Sequence, residues 1–461
     1  MQNFLSLDRV EPKKRLVGER VKDFKEVYEL FDKAEARSQA ERCVQCGDPY
    51  CSNKCPLHNF IPQWLKSLAE FDLSLAFKLS NESSPFPEIM GRVCPQDVLC
   101  EGDCTLNDGH GAITIGSIEK YITEKGFENG LTIDFPKQKL GKSVAVIGSG
   151  PAGLSLATYL LRAGIDVTIY ERASRAGGLL TYGIPGFKLD KSVIERRTNL
   201  LKKGGLNLKT NIEVGKDISF EDLRKNNDAV FIGIGSTKPK KANIPNENSE
   251  RVYMAMEFLT SVQQKLFNEK RSREINVREC DVIVVGGGDT AMDCIRTAIR
   301  EGANSVTCHY RRDSHNMPGS YKEYRNTVEE GAEFEFHSSP KSVVIDENNK
   351  VLGLNFAKTT LTQADGNKGR QQVIEVKNSE RFCKADVIIF ALGFEPEVPK
   401  FLEENGIKTN SWGGIVTSSN GETSISGVYA GGDATRGADL VVRATYDGRE
   451  IAKNIINSFI N

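Results

Sequence analysis

The sequence predicts an α/β fold in which two Rossmann-like dinucleotide-binding domains, one interrupting the other, follow an α-helical, cysteine-rich domain. Three observations carry this. An apolar strand running into a glycine-rich turn occurs twice, beginning at Val144 and at Val282. From Ser143 onward, strand and helix patterns alternate, the mark of parallel sheets. Ahead of them, seven of the 11 cysteines crowd between Cys43 and Cys104.

Length and composition set the bounds. A chain of 461 residues has room for about three domains. Lys+Arg number 61 against Asp+Glu 62, so no broad face attracts nucleic acid or an anionic membrane. No apolar run is long enough to span a bilayer. Met1–Asp23 lacks an apolar signal-peptide core, and a cytoplasmic location is expected. In that reducing compartment a dense cysteine block signals metal or redox chemistry rather than disulfides. The scattered Cys280, Cys294, Cys308 and Cys383 read as small buried hydrophobes.

The first region reads as short helices and loops. Apolar residues have helical spacing over Ala34–Arg42 and over Trp64–Leu79. The cysteine-rich loops between them follow neither regular period. A polar stretch, Pro136–Lys142, then leads into the strand Ser143–Ile147.

That strand opens the first fingerprint, Gly148-Ser-Gly150-Pro-Ala-Gly153. Gly148 permits the turn, Gly150 lets backbone approach a pyrophosphate, and Gly153 lets helix and strand pack closely. The following helix turns free N–H groups and its positive dipole end toward the phosphates. The next strand, Ile165–Tyr170, ends at Glu171, which can accept adenosine ribose hydroxyls. Gly177-Gly178 suggests a second close backbone approach to a ligand. Near the other end, Gly431-Gly432-Asp433 follows a short strand and precedes a helix around Leu440–Arg449. It resembles the element of two-dinucleotide flavoproteins whose Asp binds the ribityl–phosphate part of FAD. The first domain is therefore read as binding FAD.

The second fingerprint is Gly286-Gly-Gly288-Asp289-Thr290-Ala291, with Ala in the third glycine position. Its next strand, Ser305–Tyr310, ends in Arg311-Arg312 instead of an acid. A carboxylate there would repel a 2′-phosphate, whereas guanidinium groups bind one through charge-assisted hydrogen bonds. This domain is read as binding NADPH. A disulfide reductase would also pair FAD with NADPH but needs a redox cysteine pair beside the flavin. No Cys lies between Gly178 and Cys280, so the electrons must leave by another route.

The cysteines form two sets, Cys43, Cys46, Cys51 and Cys55-Pro56, then Cys94, Cys100 and Cys104. Close thiolate spacing with Pro after the last Cys is ferredoxin-like. Structural zinc favours paired Cys-x-x-Cys knuckles of four ligands, and here only Cys43/Cys46 has that form. Two 4Fe–4S clusters need eight ligands, so one site needs a ligand other than cysteine.

Taken with Gly91-Arg-Val-Cys-Pro-Gln96, Cys104-Thr-Leu-Asn-Asp108, Thr114-Ile-Gly-Ser-Ile-Glu119, Gly286–Asp293 and Tyr310-Arg-Arg-Asp313, these motifs resemble the small (β) subunit family of NADPH-dependent glutamate synthase over nearly the whole chain. Near relatives of that family include the N-terminal part of dihydropyrimidine dehydrogenase. The resemblance implies one cluster on Cys43, Cys46, Cys51 and Cys104. It implies the other on Cys55, Cys94, Cys100 and Glu119; the alternative for Glu119 is a capping or surface carboxylate. It implies that NADPH reduces FAD, and that two 4Fe–4S clusters carry electrons to a large (α) subunit. There FMN supports formation of L-glutamate from L-glutamine and 2-oxoglutarate. The glutaminase is not expected here, because Gln2 follows Met1 where a nucleophilic Cys is needed. The rivals are a related NADPH oxidoreductase serving ferredoxin or another acceptor, and a non-catalytic assembly scaffold. The expected domains are 1–135 (helical, two 4Fe–4S clusters), 136–240 (FAD, first part), 241–390 (NADPH) and 391–461 (FAD, second part).

Overall fold

The computed structural model describes residues 3–362 and 371–460. Met1 and Gln2, on which the glutaminase argument rests, lie outside the described residues. Two five-stranded parallel sheets form the body of the chain. The first runs in the order Val428–Ala430, Ala229–Ile232, Ser143–Ile147, Asp166–Glu171, Asn207–Thr210. Its outermost strand comes from the last fifth of the chain, so this domain is left and re-entered. The intervening chain builds the second sheet: Val252–Met254, Val387–Phe390, Asp281–Val285, Ser305–Tyr310, Glu333–Phe336. A two-residue antiparallel bridge, Lys238–Pro239 against Phe394–Glu395, ties the outgoing and returning crossings together.

The central strands are buried on both faces, as their unbroken apolar runs require. On one face of the first sheet the helix Pro151–Arg162 packs against the long C-terminal helix Val441–Ile460, joining Ala152, Leu156, Ala444, Ile451 and Ile455 in one core. Ser155 Oγ donates to the Thr445 carbonyl at 2.7 Å, fixing their register. The sequence reading had not anticipated an antiparallel sheet built from Ser338–Ile345, Val351–Leu361, Val373–Glu375 and Arg381–Lys384. Cys383 lies on it half-buried, whereas Cys280, Cys294 and Cys308 are buried.

The N-terminal domain is helical, with one correction. The apolar spacing over Trp64–Leu79 belongs to two helices, Ile61–Ala69 and Leu73–Ser83. Phe71 adopts a left-handed φ of 65°, which ends the first. Asp72 starts the second by accepting from Leu75 N at 2.8 Å. The cysteine loops also hold a short helix, Tyr50–Lys54, which sets Cys51 and Cys55 one turn apart.

A buried ion network fastens the N-terminal segment to the second sheet's domain. Arg20 donates to Glu330 at 2.9 Å, and Arg296 and Arg300 reach the same carboxylate at 2.9 and 2.6 Å. All four side chains are fully buried or nearly so. Desolvated charges of this kind persist only when every one is paired.

Candidate functional site

The first glycine turn opens on a cavity of about 740 Å³ lined by Gly148, Gly150, Glu171, Gly178 and Asp433, among others. The turn's glycines have different jobs. Gly148 has φ 97°, and a Cβ on it would stand 2.5 Å from the Gly233 carbonyl oxygen. A Cβ on Gly153 would strike the Gly148 carbonyl. Gly150, in contrast, faces open space with no protein atom within 4 Å. The protein's own packing does not require glycine there; a ligand pressed against the backbone would. Gly432 has φ 71° and stacks beneath the turn, where a Cβ would come within 2.9 Å of Ala152 Cβ.

Glu171 is buried at the end of its strand. It accepts from Ser149 N at 3.0 Å, from Ser149 Oγ at 2.5 Å and from Ala173 N at 2.8 Å. The carboxylate is thereby held against the turn, at the cavity wall. Asp433 opens the short helix Asp433–Arg436, and its Oδ1 is buried without a hydrogen-bond partner. Burial pushes its carboxyl up to about 7. A buried polar atom left orphaned by the protein calls for a ligand that completes it. The cavity, the open Gly150 and the waiting Asp433 fit a dinucleotide such as FAD.

The second turn is built in parallel. Gly286 takes a left-handed φ, and a Cβ on it would strike the Ala391 carbonyl. Gly288 is nearly open, its closest neighbour being Pro318 at 3.9 Å. Asp289, Thr290 and Ala291 begin the helix Asp289–Arg300. The loop Asp313–Ser320 lies against this turn: Gly319 N donates to the Gly287 carbonyl at 3.1 Å, and Ser320 N to Asp289 Oδ1 at 3.0 Å. No feature of the sequence reading pointed to this cover. Arg311 and Arg312 follow the strand Ser305–Tyr310, but their environments differ. Arg311 is exposed. Arg312 is 7% exposed, and its Nε and Nη1 are buried without partners. Unpaired guanidinium donors in the interior are costly and fit an anion such as a 2′-phosphate.

The cysteines line two separate cavities. One is walled by Cys43, Cys46, Cys51 and Cys104. The other is walled by Cys55, Cys94, Cys100 and Glu119. Ile115 contributes to both. Burial pushes the Cys51 thiol up to about 12 and raises those of Cys55, Cys94 and Cys100. Such thiols become thiolates only when a bound cation replaces the lost solvation. Thiols converging on small closed spaces fit iron–sulfur clusters.

Glu119 is neither a cap nor a surface residue. It sits inside the helix Ile115–Glu128, 6% exposed, and burial pushes its carboxyl up to about 8. Asn59 Nδ2 donates to its Oε1 at 2.7 Å. The Asn59 carbonyl oxygen in turn accepts from Ser83 Oγ at 2.9 Å and Trp64 Nε1 at 3.4 Å, which fixes the amide's orientation. Asn59 escaped the sequence reading because its role depends on partners from three helices.

The two kinds of cavity share a wall. On the C-terminal helix, Val441 and Ala444 face the dinucleotide cavity, while Val442 faces the one holding Cys55, Cys94 and Cys100. Dinucleotide turns on two nucleotide-binding domains, backed by thiol-lined cavities, define a pyridine-nucleotide-dependent flavoprotein oxidoreductase with an iron–sulfur domain.

Comparison with known proteins narrows this. Residues 20–131 match the family described as dihydropyrimidine dehydrogenase domain II, 4Fe-4S cluster. Residues 142–448 match the pyridine nucleotide-disulphide oxidoreductase family. The glutamate synthase (NADPH) small chain of Escherichia coli (strain K12) is 44% identical, with 98% of each chain covered. AegA, named as an oxidoreductase of the same organism, is 45% identical over 97% of this chain and 69% of its own length. The solved structure of Mycobacterium tuberculosis FprA in complex with NADPH superposes with a TM-score of 0.59 at 18% identity, over 69% of this chain and 85% of that one, and so shares the fold. The chain belongs to the family of NADPH-dependent glutamate synthase small chains.

Proposed function

We propose that this chain is the electron-input subunit of a glutamate synthase, oxidising NADPH and delivering electrons to a large subunit that makes L-glutamate from L-glutamine and 2-oxoglutarate. The observation that carries the reading is the shared wall, with Val441 and Ala444 on the dinucleotide side and Val442 on the thiol side. With both groups bound, it would give electrons a protein-lined path from one site to the other. When bound, FAD takes hydride from NADPH and yields electrons singly, and 4Fe–4S clusters carry them onward.

The residues supply position and charge. Gly148, Gly150, Gly153 and the helix start at Pro151 would cradle the FAD pyrophosphate. Glu171 would hold the adenosine ribose, and Gly178, Gly432 and Asp433 the ribityl–phosphate region. Gly286, Gly288 and the start of the helix at Asp289, Thr290 and Ala291 would receive the NADPH pyrophosphate. Arg312, with Arg311 at the rim, would select the 2′-phosphate. Cys55, Cys94, Cys100 and Glu119 would hold the cluster nearer the flavin. Cys43, Cys46, Cys51 and Cys104 would hold the one nearer the exit. Among the described residues no helix is long and apolar enough to cross a membrane, in keeping with a cytoplasmic enzyme. The partner would be a large subunit carrying FMN.

A second reading has a specific observation behind it. AegA is as similar as the glutamate synthase small chain but considerably longer, so a related NADPH oxidoreductase could use this same electron-input unit with another acceptor. Anaerobic purification with iron, sulfide and flavin analysis, followed by NADPH-dependent glutamate formation with an added large subunit, tests the proposal. Flavin and clusters reduced by NADPH, with no complex and no glutamate, would favour the second reading.

A further inference from the structure

Arg42, immediately before Cys43, is 0% exposed. Its Nε donates to the Leu7 carbonyl at 2.9 Å, Nη1 to Ala112 at 3.1 Å, and Nη2 to His110 and Gly111 at 2.6 and 2.9 Å. Every one of these partners is a neutral backbone carbonyl. Among the described residues Arg42 makes no ion pair. The chain's other fully buried guanidinium groups behave differently: Arg20, Arg197 and Arg296 are each bonded to a buried carboxylate. Carbonyls satisfy hydrogen bonds but carry no net charge, and a buried charge without a counter-charge is strongly disfavoured. The nearby carboxylates of Glu11 and Glu101 are bonded to Arg9, and neither is bonded to Arg42.

Asp8 also acts on Arg42 electrostatically, but it is exposed and open to screening by solvent; the buried source of negative charge is the first thiol cavity. Cys43 is the next residue and lines the first thiol cavity. The segment His110–Ala112 gripped by the guanidinium runs directly into Ile113, which lines the same cavity. Arg42 also lies within electrostatic reach of Cys104, another wall residue. An oxidised 4Fe–4S core with four thiolates carries a net charge of about −2, and net charge is one of the settings of cluster potential. We propose that Arg42 is the buried counter-charge of the cluster on Cys43, Cys46, Cys51 and Cys104, raising its reduction potential and so favouring electron arrival there. The inference rests on the reading that these four cysteines hold a cluster.

The test compares Arg42→Met with Arg42→Lys in holoprotein, read by iron content and by EPR-monitored redox titration. The expected result is a more negative midpoint for one cluster in Arg42→Met, the other cluster's midpoint unmoved, and a near-normal pair in Arg42→Lys. Loss of one cluster's iron in Arg42→Met with both retained in Arg42→Lys would support the same conclusion. Full iron with unmoved midpoints in Arg42→Met would overturn it. So would equal effects of Met and Lys, because the fork of hydrogen bonds and not the charge would then matter. Cys46→Ser, run alongside, reports on the underlying reading. Full iron and sulfide in that variant would remove the cluster from this cavity and take the Arg42 inference with it.

Discussion

Asn59 and Glu119 are hydrogen-bonded at 2.7 Å in a buried site, with the Asn59 amide held by Ser83 and Trp64 and the Glu119 carboxyl at the wall of a cavity lined by three cysteines. A carboxyl group whose charge is costly to bury is kept beside three thiols, where a four-ligand cluster would need one more donor. Glu119→Ala should therefore disturb one cluster and spare the other. Iron content falling toward half, with one EPR signal lost or altered, is the expected outcome. Unchanged iron and spectra would remove Glu119 from the ligand set.

The two turn glycines should fail differently. Gly148→Ala puts a side chain at φ 97° against the Gly233 carbonyl. The left-handed backbone alone costs on the order of 1–2 kcal/mol, and the clash adds to it, so the Tm of the flavin-free protein should drop. Gly150→Ala meets no protein atom within 4 Å. It should leave the flavin-free Tm nearly unchanged and deplete FAD after purification. Equal flavin retention in wild type and Gly150→Ala would show that nothing approaches the backbone there.

Arg312, buried with unpartnered Nε and Nη1, should outweigh the exposed Arg311 in nucleotide choice. Each charge-assisted contact to a 2′-phosphate contributes about 1.5–3 kcal/mol. Arg311→Ala/Arg312→Ala should lower kcat/KM for NADPH by roughly two to four powers of ten, with little change for NADH and with FAD and iron intact. Arg312→Ala alone should account for most of the loss. The contribution of Arg311 should shrink at high salt, being open to screening. Equal slowing with both nucleotides would make the arginines structural.

His309 provides a pH dependence. It is 2% exposed, stacked on Phe356 with ring centroids 3.8 Å apart, and bonded to Ser338 at 2.9 Å. Burial lowers its pKa from 6.5 to about 4. Between those values the unfolded chain binds more protons than the folded one. Stability is therefore full above pH 6.5 and is lost as pH falls through 4. At about 1.4 kcal/mol per unit, the loss is on the order of 3 kcal/mol. His309→Gln should have a lower Tm at neutral pH and a flatter Tm profile between pH 6.5 and 4. A parallel profile would assign the acid sensitivity to other groups.

Much of this was legible in the chain itself, because the governing physics is local. A Gly-x-Gly turn at the end of an apolar strand needs only its neighbours to form, so both dinucleotide turns could be read from a few residues each. The same holds for Glu171 and Arg311-Arg312, which end the strands that follow. Re-entry into the first sheet was legible too, since Val428–Ala430 repeats the apolar strand signal after the second fingerprint has run its course.

Other features depend on contacts between segments distant in sequence. Apolar spacing over Trp64–Leu79 could not reveal that Phe71 turns left-handed, because the phase of the pattern survives a break between two helices that pack on one core. Adjacent arginines look alike in sequence, yet one side chain leaves the strand end toward solvent and its neighbour turns inward. Asn59 orients Glu119 only because helices bring Ser83 and Trp64 to its carbonyl oxygen. Arg42 reads as an ordinary charge beside a cysteine until the fold surrounds it with carbonyls and no carboxylate. Local geometry and periodicity are carried by neighbouring residues; burial, and the pairing of charge that burial demands, exist only once the chain has closed around them.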